Sequence, residues 1–328
     1  MQNFKHITFT AITDVGKHRD HNEDSFVCGT IADSYILTVV IDGVGGYNGG
    51  EIASKLAVDK ITECLSPLQP ADDKGKALCQ AIVEANNLIM VEQYKHPQFK
   101  EMACVLTAIL VCPDEKRVYM SHVGDTRLYE FSENQLIKLS HDHSPVGILE
   151  EKGLLTEEEA MTHPRRNIIE RCLGQKTYQT NEPDIENAVF DLKEGSTFLL
   201  CSDGLTDMVN SKEIVQILSS DANLDDQAKA LIEAANNAGG KDNVTVLLLH
   251  NPVIAEHPVA LEEMLVNNTD IDKDEAEKIP ENHSIRENKT CRAGDHEEKN
   301  ASFHWSTYLW GLLLIVALGF ILWKWILQ

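Results

Sequence analysis

Short apolar, β-branched runs recur along the first 250 residues, and several lie within two residues of an aspartate. Runs such as YILTVVI at 35–41, TFLLC at 197–201 and VTVLLL at 244–249 are too short for core helices and too branched at Cβ to favour them, so they predict strands. Further strands are predicted over 7–13, 25–30, 105–112, 117–122 and 128–131. Three segments carry the helical period instead, at 49–65, 74–94 and 224–238. In the first, Ala53, Leu56, Ala57 and Ile61 fall on one face; the third stops at Gly239-Gly240. The short connection between 118–122 and 128–131 predicts an antiparallel hairpin with Gly124-Asp125 at its tip, and Asp125 suits such a turn. Helices come grouped between blocks of strands, which favours antiparallel sheets covered by helices over a wound βαβ fold.

Two regions depart from this alternation. Over about 144–174 a run of Glu150, Glu151, Glu157, Glu158 and Glu159 precedes His163-Pro164-Arg165-Arg166-Asn167. It is either a helical insertion beside a functional site or a surface helix pair, and composition does not separate the two. Residues 253–304 are rich in Glu, Asp, Asn and Lys and poor in aromatics, the composition of an acidic flexible linker. Residues 305–323 carry no charge, with Trp305, Tyr308 and Trp310 at one end and Trp323 and Trp325 at the other. As a helix this stretch is about 28 Å long, close to a hydrocarbon core of roughly 30 Å. Aromatics at both ends fit the two interfaces. The expectation is a domain over 1–252, the linker, and a transmembrane helix at 305–327 acting as a C-terminal anchor. A buried C-terminal helix is the alternative, and it would ordinarily carry a polar face.

Composition narrows the functional classes. The 328 residues carry a formal net charge of −23, which excludes a nucleic-acid surface because phosphate neutralisation needs clustered Lys and Arg. Eight cysteines, Cys28, Cys64, Cys79, Cys104, Cys112, Cys172, Cys201 and Cys291, form no CxxC pair, and several sit within apolar runs. That is the pattern of buried thiols in a reducing compartment and argues against a thiolate metal site. Residues 1–10 lack the basic start and apolar core of a signal peptide. The expected location is the inner (cytoplasmic) membrane, crossed once, with the larger domain in the cytoplasm.

The candidate chemistry lies where apolar runs meet carboxylates. Residues 35–41 run into Asp42, residues 197–201 into Ser202-Asp203, and Asp242-Asn243 immediately precedes 244–249. Any one of these is an ordinary turn residue. Several at strand ends, with Glu23, Asp24 and Arg19 nearby in sequence, form a set of rigid oxygen ligands for hard divalent cations. Two such cations can activate a water and clamp phosphoryl oxygens, so no protein nucleophile is needed. A guanidinium such as Arg19 can hold two phosphate oxygens at once. No GxSxG, Walker or HExxH motif occurs. Gly43-Val44-Gly45-Gly46 suits a close backbone approach or simply a tight turn. For His21, His141 and His143, solvated or turn roles are favoured over metal ligation.

Taken together, Thr13-Asp14 through Gly16, Arg19, Asn22, Glu23 and Asp24, then Asp42-Gly43 with Gly45-Gly46, Gly124-Asp125-Thr126-Arg127, Ser202-Asp203-Gly204 and Asp242-Asn243 resemble the ordered motif set of the metal-dependent serine/threonine protein phosphatases of the 2C type. The resemblance covers about residues 5–250 and is greatest to the bacterial branch, whose flap the 144–174 segment resembles. It implies an α+β fold, a four-layer αββα sandwich of two antiparallel sheets flanked by helices, and a monomeric catalytic domain. It implies Mn²⁺ or Mg²⁺ as cofactor, with two core ions and a weaker third. On that resemblance Asp42 bridges both metals and the Gly43 carbonyl completes one shell. Asp203 and Asp242 ligate the second metal, and Glu23 and Asp24 bind directly or through water. Asp125, with Asp203, makes the third site, and Arg19 holds the substrate phosphate. Phosphorylated proteins are the implied substrates and a Ser/Thr kinase the implied partner. Animal members place a general-acid histidine where this chain has Val44, and bacterial members commonly carry an apolar residue there. Met102-Ala103-Cys104-Val105 stands where a Gly-Thr-Thr-like segment is expected and is read as core variation. A catalytically impaired metal-binding scaffold at the membrane, or a phosphatase of small phosphorylated molecules, remains an alternative on sequence alone.

Overall fold

The computed structural model describes residues 6–44, 49–180 and 184–253. The expected linker beyond Val253, the expected span at 305–327, and Gly45 and Gly46 lie outside the described residues. No helix among the described residues is long and apolar enough to cross a membrane.

Among the described residues, ten strands form two five-stranded sheets, and every strand pair is antiparallel. The first sheet has the order β1 (Thr8–Asp14), β10 (Val244–Asn251), β9 (Ser196–Cys201), β6 (Arg127–Ser132), β7 (Gln135–Lys138). The second has the order β2 (Ser25–Ile31), β3 (Tyr35–Gly43), β4 (Cys104–Cys112), β5 (Arg117–Val123), β8 (Glu186–Asp191). Helices α1 (Gly50–Leu65) and α2 (Lys74–Lys95) cover the second sheet. Short α5 (Asp203–Thr206), α6 (Ser211–Leu218) and α7 (Leu224–Asn237) cover the first. Between β7 and β8 lie α3 (Pro145–Glu151) and α4 (Glu157–Met161).

The period of two in each strand builds the layers. Ile36 and Val40 of β3, Phe198 and Leu200 of β9, and Leu247 and Leu249 of β10 meet between the sheets. The alternate residues Leu37, Val39 and Ile41 face α1 and α2, while Leu199, Cys201, Val246 and Leu248 face α5–α7. A strand buried on both faces needs apolar residues at every position, which is why these three runs stand out in the sequence. Side chains cap several of the helices at their N-termini. Asp73 accepts from Lys76 N at the start of α2, Asn210 from Glu213 N at α6, and Asn223 from Asp226 N at α7.

The structure overturns the expected hairpin. β5 belongs to the second sheet and β6 to the first, so Gly124-Asp125-Thr126 is a crossing between sheets and not a hairpin turn. Val118 and Met120 from β5 and Leu128 from β6 all point into the inter-sheet core, and two facing sheets satisfy that requirement from both sides. The edge of β5 that a hairpin would use is taken by β8. The crossing is also sterically committed. Gly124 has φ of +114°, and a Cβ there would lie 2.2 Å from Val105 Cβ, so only glycine fits. β3 extends two residues past its expected end, through Asp42 and Gly43. That places Asp42 on the inner face with Ile36 and Val40, at the rim of the sandwich.

Candidate metal centre and flap

The inner-face parity that carries Ile36 and Val40 to Asp42 also carries Phe26 and Cys28 of β2 back to Asp24, and Leu249 and Leu247 of β10 back to Thr245. One open rim of the sandwich therefore collects carboxylates. Burial first, then Asp24, Asp203, Asp125 and Asp242, pushes the Asp42 carboxyl well above its ordinary range. Asp203 is likewise raised, by burial and then by Asp125, Asp207, Asp242 and Asp24. Burial pushes Asp24 up to about 6 and Asp125 up to about 7. These groups act on one another, so Asp24, Asp42, Asp125, Asp203 and Asp242 form one cluster, whose charge Arg19 beside Asp242 and Arg127 near Asp125 offset only in part.

The hydrogen bonds of the cluster leave specific oxygens over. Asp24 Oδ2 accepts from Ser202 Oγ at 2.8 Å and Thr245 Oγ1 at 2.6 Å. Its Oδ1, and Oδ1 of Asp203, are buried without a hydrogen-bond partner. A buried carboxylate oxygen with no donor is costly, and a hard cation is what such an oxygen set accommodates. The donor set thus fits divalent metal. Gly43 holds the end of β3 against the start of α1, where a Cβ would lie 2.5 Å from the Gly50 backbone. Arg19 stands at the edge of the cluster. Its Nη2 donates to Asp242 Oδ2 at 2.8 Å, its Nη1 lies 3.9 Å from Glu23 Oε2, and its side chain is 37% exposed.

Comparison with known proteins agrees with this geometry. The sequence profile of the family described as Protein phosphatase 2C matches residues 17–242. The serine/threonine phosphatase stp of Listeria welshimeri is 35% identical over 240 residues, covering 72% of this chain and 93% of that protein. The crystal structure of the Mycobacterium tuberculosis serine/threonine phosphatase PstP/Ppp superimposes with a TM-score of 0.66 at 32% identity, covering 75% of this chain and 99% of the other. A structure of the catalytic domain of PstP in complex with two manganese ions gives 0.64 at 31% identity, covering 75% and 98%.

The chain belongs to the protein phosphatase 2C family.

Within this 2C-type phosphatase the loop bearing Arg19, Glu23 and Asp24 hangs on one residue that sequence reasoning named only as half of a motif. Asn243 is buried at the start of β10. Its Oδ1 accepts from Glu23 N at 2.8 Å, and its Nδ2 donates to Val15 O and His21 O at 2.9 Å each. Asp14 Oδ1 adds a second hold, accepting from Gly16 N and Asn236 Nδ2. Asp207 lies outside the sequence motifs. It follows Asp203 by one helical turn and feels the same cluster, and the available signal was that i, i+4 spacing. Val44 is tied by its N–H to Ala103 O at 3.0 Å and packs against Ala103, Val105 and Cys172. The segment Met102–Val105 is buried core, as expected.

The 144–174 segment is placed beside the site, and it makes polar contacts at both its root and its far side. Arg127 Nη2 donates to Asp142 Oδ2 at 2.6 Å and to Glu150 Oε2 at 3.0 Å. Arg166 Nε donates to Asp207 Oδ2 at 2.8 Å. Glu157 Oε1 accepts from Ser211 N at 2.8 Å and Ser211 Oγ at 2.6 Å. Asp125 and Asp203 share a polar cleft with Arg127, Asp142, Arg166 and Asp207, so the flap-like helices roof the Asp125 side of the cluster.

The histidines divide. His21 and His141 are exposed, the latter against Glu186 Oε1 at 2.6 Å. His143 corrects the sequence expectation, since it is buried and structural. Ligand atoms of His122, His143 and Glu186 gather within 4.8 Å of one another, yet their hydrogen bonds argue against a second metal site. His122 Nε2 faces the carbonyls of Gly124 at 3.0 Å and His141 at 3.1 Å and must carry a proton. His143 Nδ1 accepts from Gly124 N at 3.0 Å, which leaves the ring proton on Nε2.

Proposed function

We propose that this chain hydrolyses phosphoserine and phosphothreonine in phosphorylated proteins, using two Mn²⁺ or Mg²⁺ ions and a weaker third. The observation that carries the reading is the carboxylate cluster with two orphaned buried oxygens, on Asp24 and Asp203, beside the exposed guanidinium of Arg19. Asp42 would hold both core ions from the end of β3, and the Gly43 carbonyl would complete the shell of one. Asp203 and Asp242 would hold the second, Glu23 and Asp24 would reach the ions directly or through water, and Asp125 with Asp203 would hold the third. When bound, the ions supply an activated water and neutralise phosphoryl oxygens. The chain's own residues do the rest. Asn243 and Thr245 orient the Glu23-Asp24 segment, and Arg19 turns from Asp242 to the phosphate and fixes it by paired hydrogen bonds. The full carboxylate set supports an active enzyme over an impaired scaffold.

The same reading includes a tether. The uncharged stretch 305–323 with its flanking tryptophans supports a single membrane span. The unpaired thiols support a cytoplasmic catalytic domain that reverses a Ser/Thr kinase near the inner membrane. Two assays test the proposal. The full-length chain should hydrolyse a phosphothreonine peptide with Mn²⁺ and lose that activity in excess chelator; undiminished turnover without metal rejects the metal mechanism. It should sediment with membranes and resist high salt and alkali; recovery in the soluble fraction rejects the tether.

A further inference from the structure

Beneath the turn that bears Asp125 lies a buried polar assembly for which the chemistry above has no use. The turn is three residues long, and its outer two are gripped from below. The Gly124 carbonyl accepts from His143 N at 2.6 Å and from His122 Nε2 at 3.0 Å. The Gly124 N–H donates to His143 Nδ1 at 3.0 Å. On the far side, Thr107 Oγ1 meets both His122 Nδ1 and Thr126 Oγ1 at 2.8 Å. Thr107, His122 and Thr126 are wholly buried and His143 nearly so. Asp125, the middle residue, is left to project into the carboxylate cluster.

The grip also reaches the root of the flap-like segment. Asp142, His143 and Ser144 are consecutive, and each serves a different partner. Asp142 takes Arg127, His143 takes Gly124, and Ser144 Oγ accepts from Gly147 N to cap α3. At the other end of that segment, Glu170 N donates to His143 O at 2.8 Å.

We propose that His143 and His122 are positioning residues that fix the backbone of Gly124, and through it Asp125, in the orientation needed for the third cation. The inference rests on the reading of Asp125 as a metal ligand. Histidine suits the task because a neutral ring offers an acceptor and a donor on a rigid apolar body. Burial, and then His122, holds the His143 ring down to about 3, so it stays neutral and keeps its acceptor. The conservative substitutions follow from atom positions. Asparagine places Oδ1 where histidine has Nδ1, and glutamine places Nε2 where histidine has Nε2. Leucine keeps the bulk and offers neither.

The test uses full-length protein and two readouts. In chelated protein, amide exchange at Gly124 should accelerate at least ten-fold in His143→Leu and stay within about three-fold of the parent in His143→Asn, since one hydrogen bond separates the two variants. His122→Gln, which keeps the donor to Gly124 O, should exchange more slowly than His122→Leu. Equal exchange in the Leu and Asn variants at position 143 overturns the clamp. In a Mn²⁺ titration of turnover, Asp125→Ala should weaken the low-affinity phase. His143→Leu should weaken the same phase and add nothing in the Asp125→Ala background. A loss by His143→Leu that persists in full in that background overturns the link to Asp125. An Asp125→Ala titration identical to the parent's overturns the ligand reading itself, while leaving the exchange result to judge the clamp.

Discussion

Asp42 lies within β3, and Asp24 and Asp203 sit one residue before β2 and two after β9, so strand register places all three, whereas the helices roofing the cleft are fixed by individual side chains. On the floor, moving a carboxylate means moving a β-strand packed on both faces. On the roof, Arg166–Asp207 and Glu157–Ser211 are contacts between half-buried groups, and such contacts contribute about 1 kcal/mol each. Cations need ligand oxygens held to a few tenths of an ångström, and the strands supply that. The roof, by contrast, is held by contacts that can be exchanged one at a time.

Substitutions on the floor should therefore cost far more than substitutions on the roof. Asp42→Asn is the most severe. It removes the charge expected to serve both core ions, and losing several kcal/mol of transition-state stabilisation lowers kcat by roughly a thousand-fold or more. Steady-state hydrolysis of a phosphothreonine peptide measures this, and turnover within ten-fold of the parent would reduce Asp42 to a turn residue. Asn243→Ala comes next. It removes three hydrogen bonds around the Arg19 loop, worth roughly 2–4 kcal/mol at about 1 kcal/mol each. Urea unfolding should show that loss of stability, and KM should rise with it.

Arg19→Ala keeps the floor intact and removes a phosphate anchor worth roughly 1.5–3 kcal/mol, so KM should rise about ten- to hundred-fold with a smaller change in kcat. An unchanged KM would confine Arg19 to its observed pairing with Asp242. Metal should stabilise the floor in a pH-dependent way. Asp24, raised to about 6, and Asp125, raised to about 7, bind protons more tightly folded than unfolded. In metal-free protein their contribution is present below pH about 4 and is lost as pH rises through 6–7. Mn²⁺ then replaces the protons, so the rise in Tm on adding Mn²⁺ should be several degrees larger at pH 8 than at pH 5. Equal rises would show that these carboxylates do not face the ions. Glu157→Ala is the mildest case. Loss of its bonds to Ser211 should leave Tm within about 2 °C and shift KM no more than about five-fold. A loss of kcat comparable to Asp42→Asn would erase the contrast between floor and roof.

The same contrast explains what could be seen in the sequence. Asp42, Asp203 and Asp242 are legible because each lies within two residues of a predominantly apolar run, and such runs are central strands. Their convergence was an expectation from the motif order, and the parity of β2, β3 and β10 supplies its physical reason. The partner of each strand was not legible. β5 and β6 lie four residues apart in sequence and end in different sheets, because pairing is decided by which edges are free and where the inner-face residues must go. β7 and β8 escaped notice as edge strands with half-exposed, polar-alternating residues. His143 misled because His141-Asp142-His143-Ser144 is polar in sequence yet buried from Asp142 onward. Burial of polar groups follows from partners, and Arg127 and Gly124 are remote from that stretch.

The pairing of β1 with β10 sets Thr8 opposite His250 at one end and Asp14 opposite Val244 at the other. Six residue steps at about 3.3 Å put roughly 20 Å between those ends. The chain enters and leaves this unit on the rim away from Asp242 and Arg19. A reporter fused directly to those strand ends, at Thr8 or Asn251, would start roughly 20 Å from the carboxylate end of the pair.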